Sequence, residues 1–140
     1  MTFDRIEGSE PEETLKLLVQ KFSRFEGRQP RAMVCRNRQS EADQKIQEIS
    51  VDLAGFGFDV DIGIPFDSLF KLGTNAIEND ADLLILFGLE GISGEDFVQQ
   101  LEEFLSEKGY SDLLILVPKV DFSPRDIQEE LIKWLGQAFQ

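Results

Sequence analysis

The sequence contains no histidine. That absence excludes Ser-His and Cys-His nucleophile pairs, histidine-ligated zinc, phosphohistidine relays and an imidazole ligand to a cofactor metal. The single cysteine, Cys35, rules out an intramolecular disulfide and points to a reducing compartment. Long apolar runs are missing as well. Residues 83–87 and 113–117 fall far short of the roughly 20 residues a membrane helix needs, and residues 1–10 have no signal-peptide core. A soluble, cytoplasmic protein with no membrane partner is expected. Basic charge is scarce: 14 Lys and Arg stand against 27 Asp and Glu, a net charge of −13. A field of that sign repels phosphate backbones, so nucleic acid is not expected as a partner.

What is present is one ordinary domain of 140 residues with 41% hydrophobic and 29% charged residues. A chain of that size buries roughly 70% of its unfolded surface around a single core. The charge is uneven, since residues 21–45 carry seven basic side chains against Glu26, Glu41 and Asp43. One end of the molecule is locally basic, or the segment is a solvated helix face followed by an arginine-rich loop.

Ser9, Pro11 and Glu10, Glu12 and Glu13 read as a cap, an early proline and an acidic first turn. Leu15, Leu18, Val19, Phe22 and Phe25 follow at helical spacing up to Gly27. Strand and helix then alternate. Strands are expected over 32–35, 58–64, 83–87 and 113–117. Helices are expected over 40–53, from 65–67 with Leu69, Leu72, Ala76 and Ile77 inward, and from Ser93 or Gly94 with Phe97, Leu101, Phe104 and Leu105 inward. A last helix opens at Ser123-Pro124 and carries Ile127, Leu131, Trp134, Leu135 and Phe139. The third and fourth strands are continuous apolar runs, as parallel strands covered on both faces are. The pattern is an α/β, flavodoxin-like doubly wound parallel sheet of about four strands with an extra N-terminal helix. It divides into a helical extension over 1–29 and the α/β domain over 30–140. In such sheets ligands bind outside the carboxyl ends of the strands, which selects the loops 36–43, 65–67, 88–94 and 118–122.

The stretch QPRAMVCRNRQSEADQKIQEISVDLAGFGFDV over 29–60, continuing through DADLLILFGLEGISG to about Asp126, resembles the cobalamin-binding domain of the acyl-CoA mutases, methylmalonyl-CoA mutase above all. The leading helix and the phrase RFEGRQPR resemble the segment preceding that domain. The family's first loop reads Asp-x-His-x-x-Gly, whose histidine becomes the lower cobalt ligand, supported by the aspartate and a lysine ending the first strand. Here the aspartate is Ser40, the histidine Ala42, the glycine Lys45 and the lysine Arg36. The family's small serine at the third strand, which lines the tunnel for the displaced nucleotide tail, is Phe87, followed by Gly88 and Leu89. Its Gly-Gly after the fourth strand is Pro118-Lys119. The family's fifth strand has no counterpart in these residues.

The resemblance thus implies a degenerate, non-catalytic module with vestigial cofactor positions at Arg36, Ser40, Ala42, Phe87, Leu89, Pro118 and Lys119. No cofactor is expected on that reading, and no catalytic or metal-ligating residue is assigned. The module acts as a subunit of a methylmalonyl-CoA mutase-type system, with a mutase subunit as partner or self-association through the fourth-strand edge. The alternative is cobalamin held without histidine, the cofactor keeping its own base or a water below cobalt, as part of an isomerase. Arg36 and Arg38 flank the mouth and are expected to hold an anion.

Two other classes have a weaker footing. Cys35 followed by Arg36 to Ser40 is similar in placement to the phosphate loop of low-molecular-weight tyrosine phosphatases, which would make a small phosphatase-like enzyme. Its phosphate-holding arginine position, however, is Glu41. A response-regulator phosphoacceptor needs acids where Arg36-Asn37-Arg38 and Phe87-Gly88-Leu89 stand. Gly55-Phe56-Gly57 follows a helix and reads as its C-cap. Phe56, Phe58, Phe66 and Phe70 read as core, Asp59 and Asp61 as outward-facing, and the acid pairs 12–13, 102–103 and 129–130 as solvated faces.

Overall fold

A computed structural model describes residues 2–89, 94–119 and 121–138. Element order is α1 (Thr2–Glu26), β1 (Arg31–Arg36), α2 (Asp43–Phe56), β2 (Asp59–Ile62), α3 (Leu69–Glu78), β3 (Leu83–Phe87), α4 (Gly94–Glu107), β4 (Leu114–Leu116) and α5 (Pro124–Ala138). The strands form one parallel sheet in the order β2-β1-β3-β4.

Period-two alternation along the strands sorts the core into two layers. Ala32 and Val34 of β1, with Leu83, Ile85 and Phe87 of β3, face α1, α2 and α5, where Leu15, Val19, Ile46, Leu53, Leu131 and Leu135 meet them. Met33, Cys35, Leu84 and Leu86 face Leu72 and Ala76 of α3 and Leu101 and Leu105 of α4. The leading helix is part of the first layer, packed on α5 and α2.

Several boundaries differ from expectation, each for a local reason. Ser9 is not a cap: the helix starts at Thr2 and carries Pro11 inside, at the cost of one N–H bond and of crowding between a proline ring and the carbonyl four residues back. α2 starts at Asp43, after the loop has closed a turn from the Ser40 N–H to the Asn37 carbonyl. α3 is capped by Ser68, whose Oγ accepts the Lys71 N–H at 3.1 Å, so 65–67 stay outside it. Ser123 and Asp126 cap α5 reciprocally, Ser123 N–H to Asp126 Oδ2 and Asp126 N–H to Ser123 Oγ. Gly57 closes α2 at φ 107°, where an added Cβ would meet Val19 Cγ1 at 2.9 Å.

Phe58 and Phe66 are core and Phe56 packs against it, but Phe70 is exposed, as are Phe25 and Ile62. β2 is an edge strand with two acids, and its end leaves Ile62 uncovered. Asp59 and Asp61 are outward as expected. Ser93, residues 90–93 of the loop after β3, and Phe139 lie outside the described residues.

Candidate functional site

The carboxyl ends of β1 and β3 meet in a mouth laced by backbone hydrogen bonds. The Asn37 N–H donates to the Phe87 carbonyl at 3.0 Å, the Arg38 N–H to the Phe66 carbonyl at 2.8 Å, and the Phe66 N–H to the Arg36 carbonyl at 2.9 Å. Three of the four loops that the topology selects are thereby tied together: those after β1, β2 and β3. Gly88 is the closest approach. It sits at φ 85°, and a Cβ there would lie 2.5 Å from Ser40 Cβ.

Arg36, half-buried at the end of β1, turns back over its own loop. Its Nε donates to Asp43 Oδ1 at 2.8 Å, and Nη1 donates to the carbonyls of Asn37, Arg38 and Ser40 at 3.3, 3.2 and 3.0 Å. Arg38 pairs with Asp67 at 3.1 Å. The anion site expected from these two arginines is corrected: each already holds a carboxylate of this chain. Lys71 shares Asp67 at 3.3 Å. The Lys71 hydrogen bond and charge, with Arg38 behind them, hold the Asp67 carboxyl below its ordinary range.

Beneath the loop the environment is hydrocarbon. Ala42 precedes α2 without a side-chain cap and packs against the first core layer. Phe87 is 5% exposed, and its ring centroid lies 5.8 Å from that of Phe122. Lys45 Nζ stands 5.9 Å over the Phe122 ring. A recess of about 140 Å³ remains between α2 and α5, lined by Ile49, Phe56, Phe122 and Ile127 together with the polar Lys45, Glu48, Asp52 and Gln128. Leu89 is buried in the second layer, away from Ala42. Pro118 is half-buried and Lys119 exposed, in a turn closed by the Phe122 N–H on the Lys119 carbonyl.

The structure therefore brings Arg36, Ser40, Ala42 and Phe87 together and leaves Leu89 and Lys119 apart from them. Sequence reasoning placed Asp43 and Phe122 at the ends of two selected loops but gave neither a role in this cluster. An aromatic in the loop after β4 and an acid seven residues beyond Arg36 were the available signals.

The phosphatase-like alternative does not survive. The Cys35 side chain is fully buried in the second layer, and burial pushes its thiol up to about 12, so no thiolate is offered at neutral pH. Glu41 is exposed where that chemistry needs a cation. Among the described residues no three His, Cys, Asp or Glu side chains form a metal-holding group, and no helix is long and apolar enough to cross a membrane.

The chain is 31% identical over 108 residues to a methylmalonyl-CoA mutase of Cereibacter sphaeroides, covering 74% of this chain and 15% of that protein. It is 31% identical over 118 residues to a methylmalonyl-CoA mutase large subunit of Streptomyces virginiae, covering 83% and 16%. A probable mitochondrial methylmalonyl-CoA mutase of Caenorhabditis elegans is 32% identical over 112 residues, 79% of this chain and 15% of that one. The chain thus spans about a sixth of the length of these relatives. No family model matches it. Among solved structures, a crystal structure of a novel cobalamin-binding protein from Desulfitobacterium hafniense shares the fold, with a TM-score of 0.52 at 13% identity, covering 87% of this chain and 58% of that one. These findings overturn the expectation that no cofactor is involved: the sequence relatives are methylmalonyl-CoA mutases, and the protein that shares the fold is a cobalamin-binding one.

Proposed function

Because the chain belongs to the cobalamin-binding-domain superfamily of the acyl-CoA mutases, as a methylmalonyl-CoA mutase-like member, we propose that it is a non-catalytic module of a mutase-type system that takes cobalamin without a protein ligand to cobalt. The cofactor would keep its own base, or a water, on its lower face. The partner on this reading is a mutase subunit, and the reaction to which the module contributes is that subunit's isomerisation.

The observation that carries this reading is the hydrocarbon filling beneath the first loop. Histidine-ligated cobalamin with its tail threaded inward does not fit these residues. Ala42 has no donor atom, Phe87 and Phe122 occupy the space at the third strand, and the recess left beside Phe122 is about 140 Å³. Ligand pockets are roughly 300 Å³ or larger. What the mouth does offer is the exposed side chain of Gln39 and that of Asn37, whose Oδ1 accepts the Gln39 N–H at 3.1 Å; these are amide groups suited to the amide-rimmed corrin, whereas the N–H groups of Asn37, Arg38 and Ser40 are spent within the loops.

Adenosylcobalamin mixed with the protein and passed through a desalting column tests this. Retention with the visible spectrum of the base-on cofactor is expected. Passage without retention, or a spectrum showing the base displaced, would overturn it. Ala42→His alone is expected to leave the spectrum base-on, because Phe87 still fills the tunnel, whereas Ala42→His with Phe87→Ser is expected to shift it. Conversion by Ala42→His alone would show that Phe87 leaves the room denied to the tail.

A further inference from the structure

β4 is flanked by β3 and, among the described residues, by no strand on its other side. The Leu114 N–H donates to the Asp82 carbonyl at 3.0 Å, so Leu114 and Leu116 turn their backbone groups toward β3. Alternation then turns the N–H and C=O of Ile115 outward. No charge lies within the strand and no proline comes before Pro118, so what limits this edge is its length of three residues. Residues 113–116 are half-buried and Val117 is 42% exposed.

The two ends of this edge are acidic. Beside Leu113, between the start of β4 and the end of α5, a recess of about 640 Å³ is lined by Glu26, Asp80, Asp82 and Asp112. Arg31 and Arg28 pair with Asp80 and Asp82, while Glu26 and Asp112 form no ion pair among the described residues. Beside Leu116 and Val117 a second recess of about 390 Å³ is lined by Asp121, Asp126, Glu129 and Glu130, with Lys119 as its basic residue. Arg125 pairs with Glu129. An apolar strand edge thus runs between two carboxylate-rich recesses.

We propose that the outer edge of β4 takes an extended segment of a partner polypeptide, apolar at its centre and basic at both ends, as a fifth strand of the sheet. The open Ile115 backbone supplies the hydrogen bonds of strand addition. The half-covered leucines and Val117 supply apolar contact, and the two recesses select cations at either end. A second copy of this chain is disfavoured as the occupant, since it would bring the same carboxylates onto one another in a molecule of net charge −13. The second recess shares Pro118, Lys119 and Phe122 with the loop after β4, while Ile115 and the first recess involve no residue of the mouth.

The test uses a labelled peptide of alternating valine and threonine with paired lysines at each end. Its controls are the same peptide with glutamates for the lysines, and one with a central proline. The lysine peptide is expected to bind saturably, roughly tenfold tighter at low salt than the glutamate peptide, with the gap closing as salt rises. The proline peptide is expected not to bind, and the Ile115 amide is expected to slow in hydrogen exchange when the lysine peptide is present.

Ile115→Pro removes a donor that points away from β3, so it should abolish binding and leave the sheet folded, as circular dichroism would report. Should that variant unfold, Asp121→Lys with Glu130→Lys leaves the strand itself unaltered and is expected to reverse the preference between the two charged peptides. Equal binding of both charged peptides, an unprotected Ile115 amide in the bound state, or a dimer of the chain in sedimentation would each overturn the proposal.

Discussion

The same five residues, Asp-Leu-Leu-Ile-Leu, occur at 82–86 and at 112–116, and the fold uses them in opposite ways. In β3 they form a central strand, with Leu83, Leu84, Ile85 and Leu86 fully buried. In the second copy they lead into the edge strand β4, with residues 113–116 half-buried and Asp112 exposed. The register is also slipped by one: Leu83 pairs with Leu114, not Leu113. Since side chains alternate between faces, that slip sends Ile85 toward α1, α2 and α5 and Ile115 toward α3 and α4. Identical local sequence thus sets neither the place in the sheet nor the face presented. Both are decided by what each pentapeptide has beside it: β1 and β4 on either side of the first, β3 alone beside the second.

The comparison is put under most strain by making one substitution in both copies. Ile85→Ala is expected to cost about 3 to 4 kcal/mol, because the cavity opens in a packed layer that cannot collapse, and Ile115→Ala about 1 to 2 kcal/mol at the half-covered edge. Urea denaturation of the two variants measures the gap. Equal costs would mean that β4 is covered in solution as fully as β3.

The residues that follow the two strands sharpen the contrast. Gly88 stands at φ 85° with Ser40 Cβ 2.5 Å from where its own Cβ would be, so Gly88→Ala is expected to lose about 1 to 3 kcal/mol through strain and displacement of the first loop. Pro118, at the same place after the second pentapeptide, follows a strand on which no loop closes among the described residues. Pro118→Ala is expected to cost about 0.5 to 1 kcal/mol, mainly by loosening the unfolded chain. Thermal melts of the pair would show whether the mouth is stitched at β3 and open at β4.

Much of the fold was legible because helical and strand periods report burial directly: β3 was read at its observed limits, and the inward residues of α3 and α4 were named correctly. What misled was signal that depends on neighbours. Ser9-Pro11 has the composition of a helix start, yet the turn before it stays helical. Phe25, Ile62 and Phe70 fit apolar stripes yet stay exposed, Phe70 even though its ring meets that of Phe104 edge-on at 5.9 Å. At the site, Ala42 and Phe87 were identifiable as departures through a family resemblance. That Arg36 is consumed by Asp43 and three carbonyls follows from loop geometry, which no spacing announces. The departures at Ala42, Phe87 and Pro118-Lys119 were read together as the loss of a cofactor, whereas Ala42 excludes only one way of holding cobalt.

The smallest effect separates the two aspartates that open the repeated pentapeptide. Asp82 stands at the amino end of β3 and receives Arg28 in a fork, Nη1 on Oδ2 at 2.7 Å and Nη2 on Oδ1 at 3.0 Å, while Oδ2 also accepts the Arg31 N–H at 2.8 Å. Its hydrogen bond, ahead of its charge, raises the Arg28 pKa further above its ordinary value. The group joins the entry of β1 to the entry of β3, and its side chain is 19% exposed. Asp112 lines an open recess and forms no ion pair among the described residues. A forked, partly covered arginine pair exceeds the usual worth of a surface ion pair, so Asp82→Ala is expected to cost about 1 to 2 kcal/mol and Asp112→Ala less than about 0.5 kcal/mol. Much of the first cost is the Arg31 N–H and the Arg28 guanidinium left without their acceptor. A double-mutant cycle with Arg28→Ala isolates the fork: a coupling energy near zero would reduce Asp82 to the standing of Asp112, and the two pentapeptides would then differ in register and burial alone.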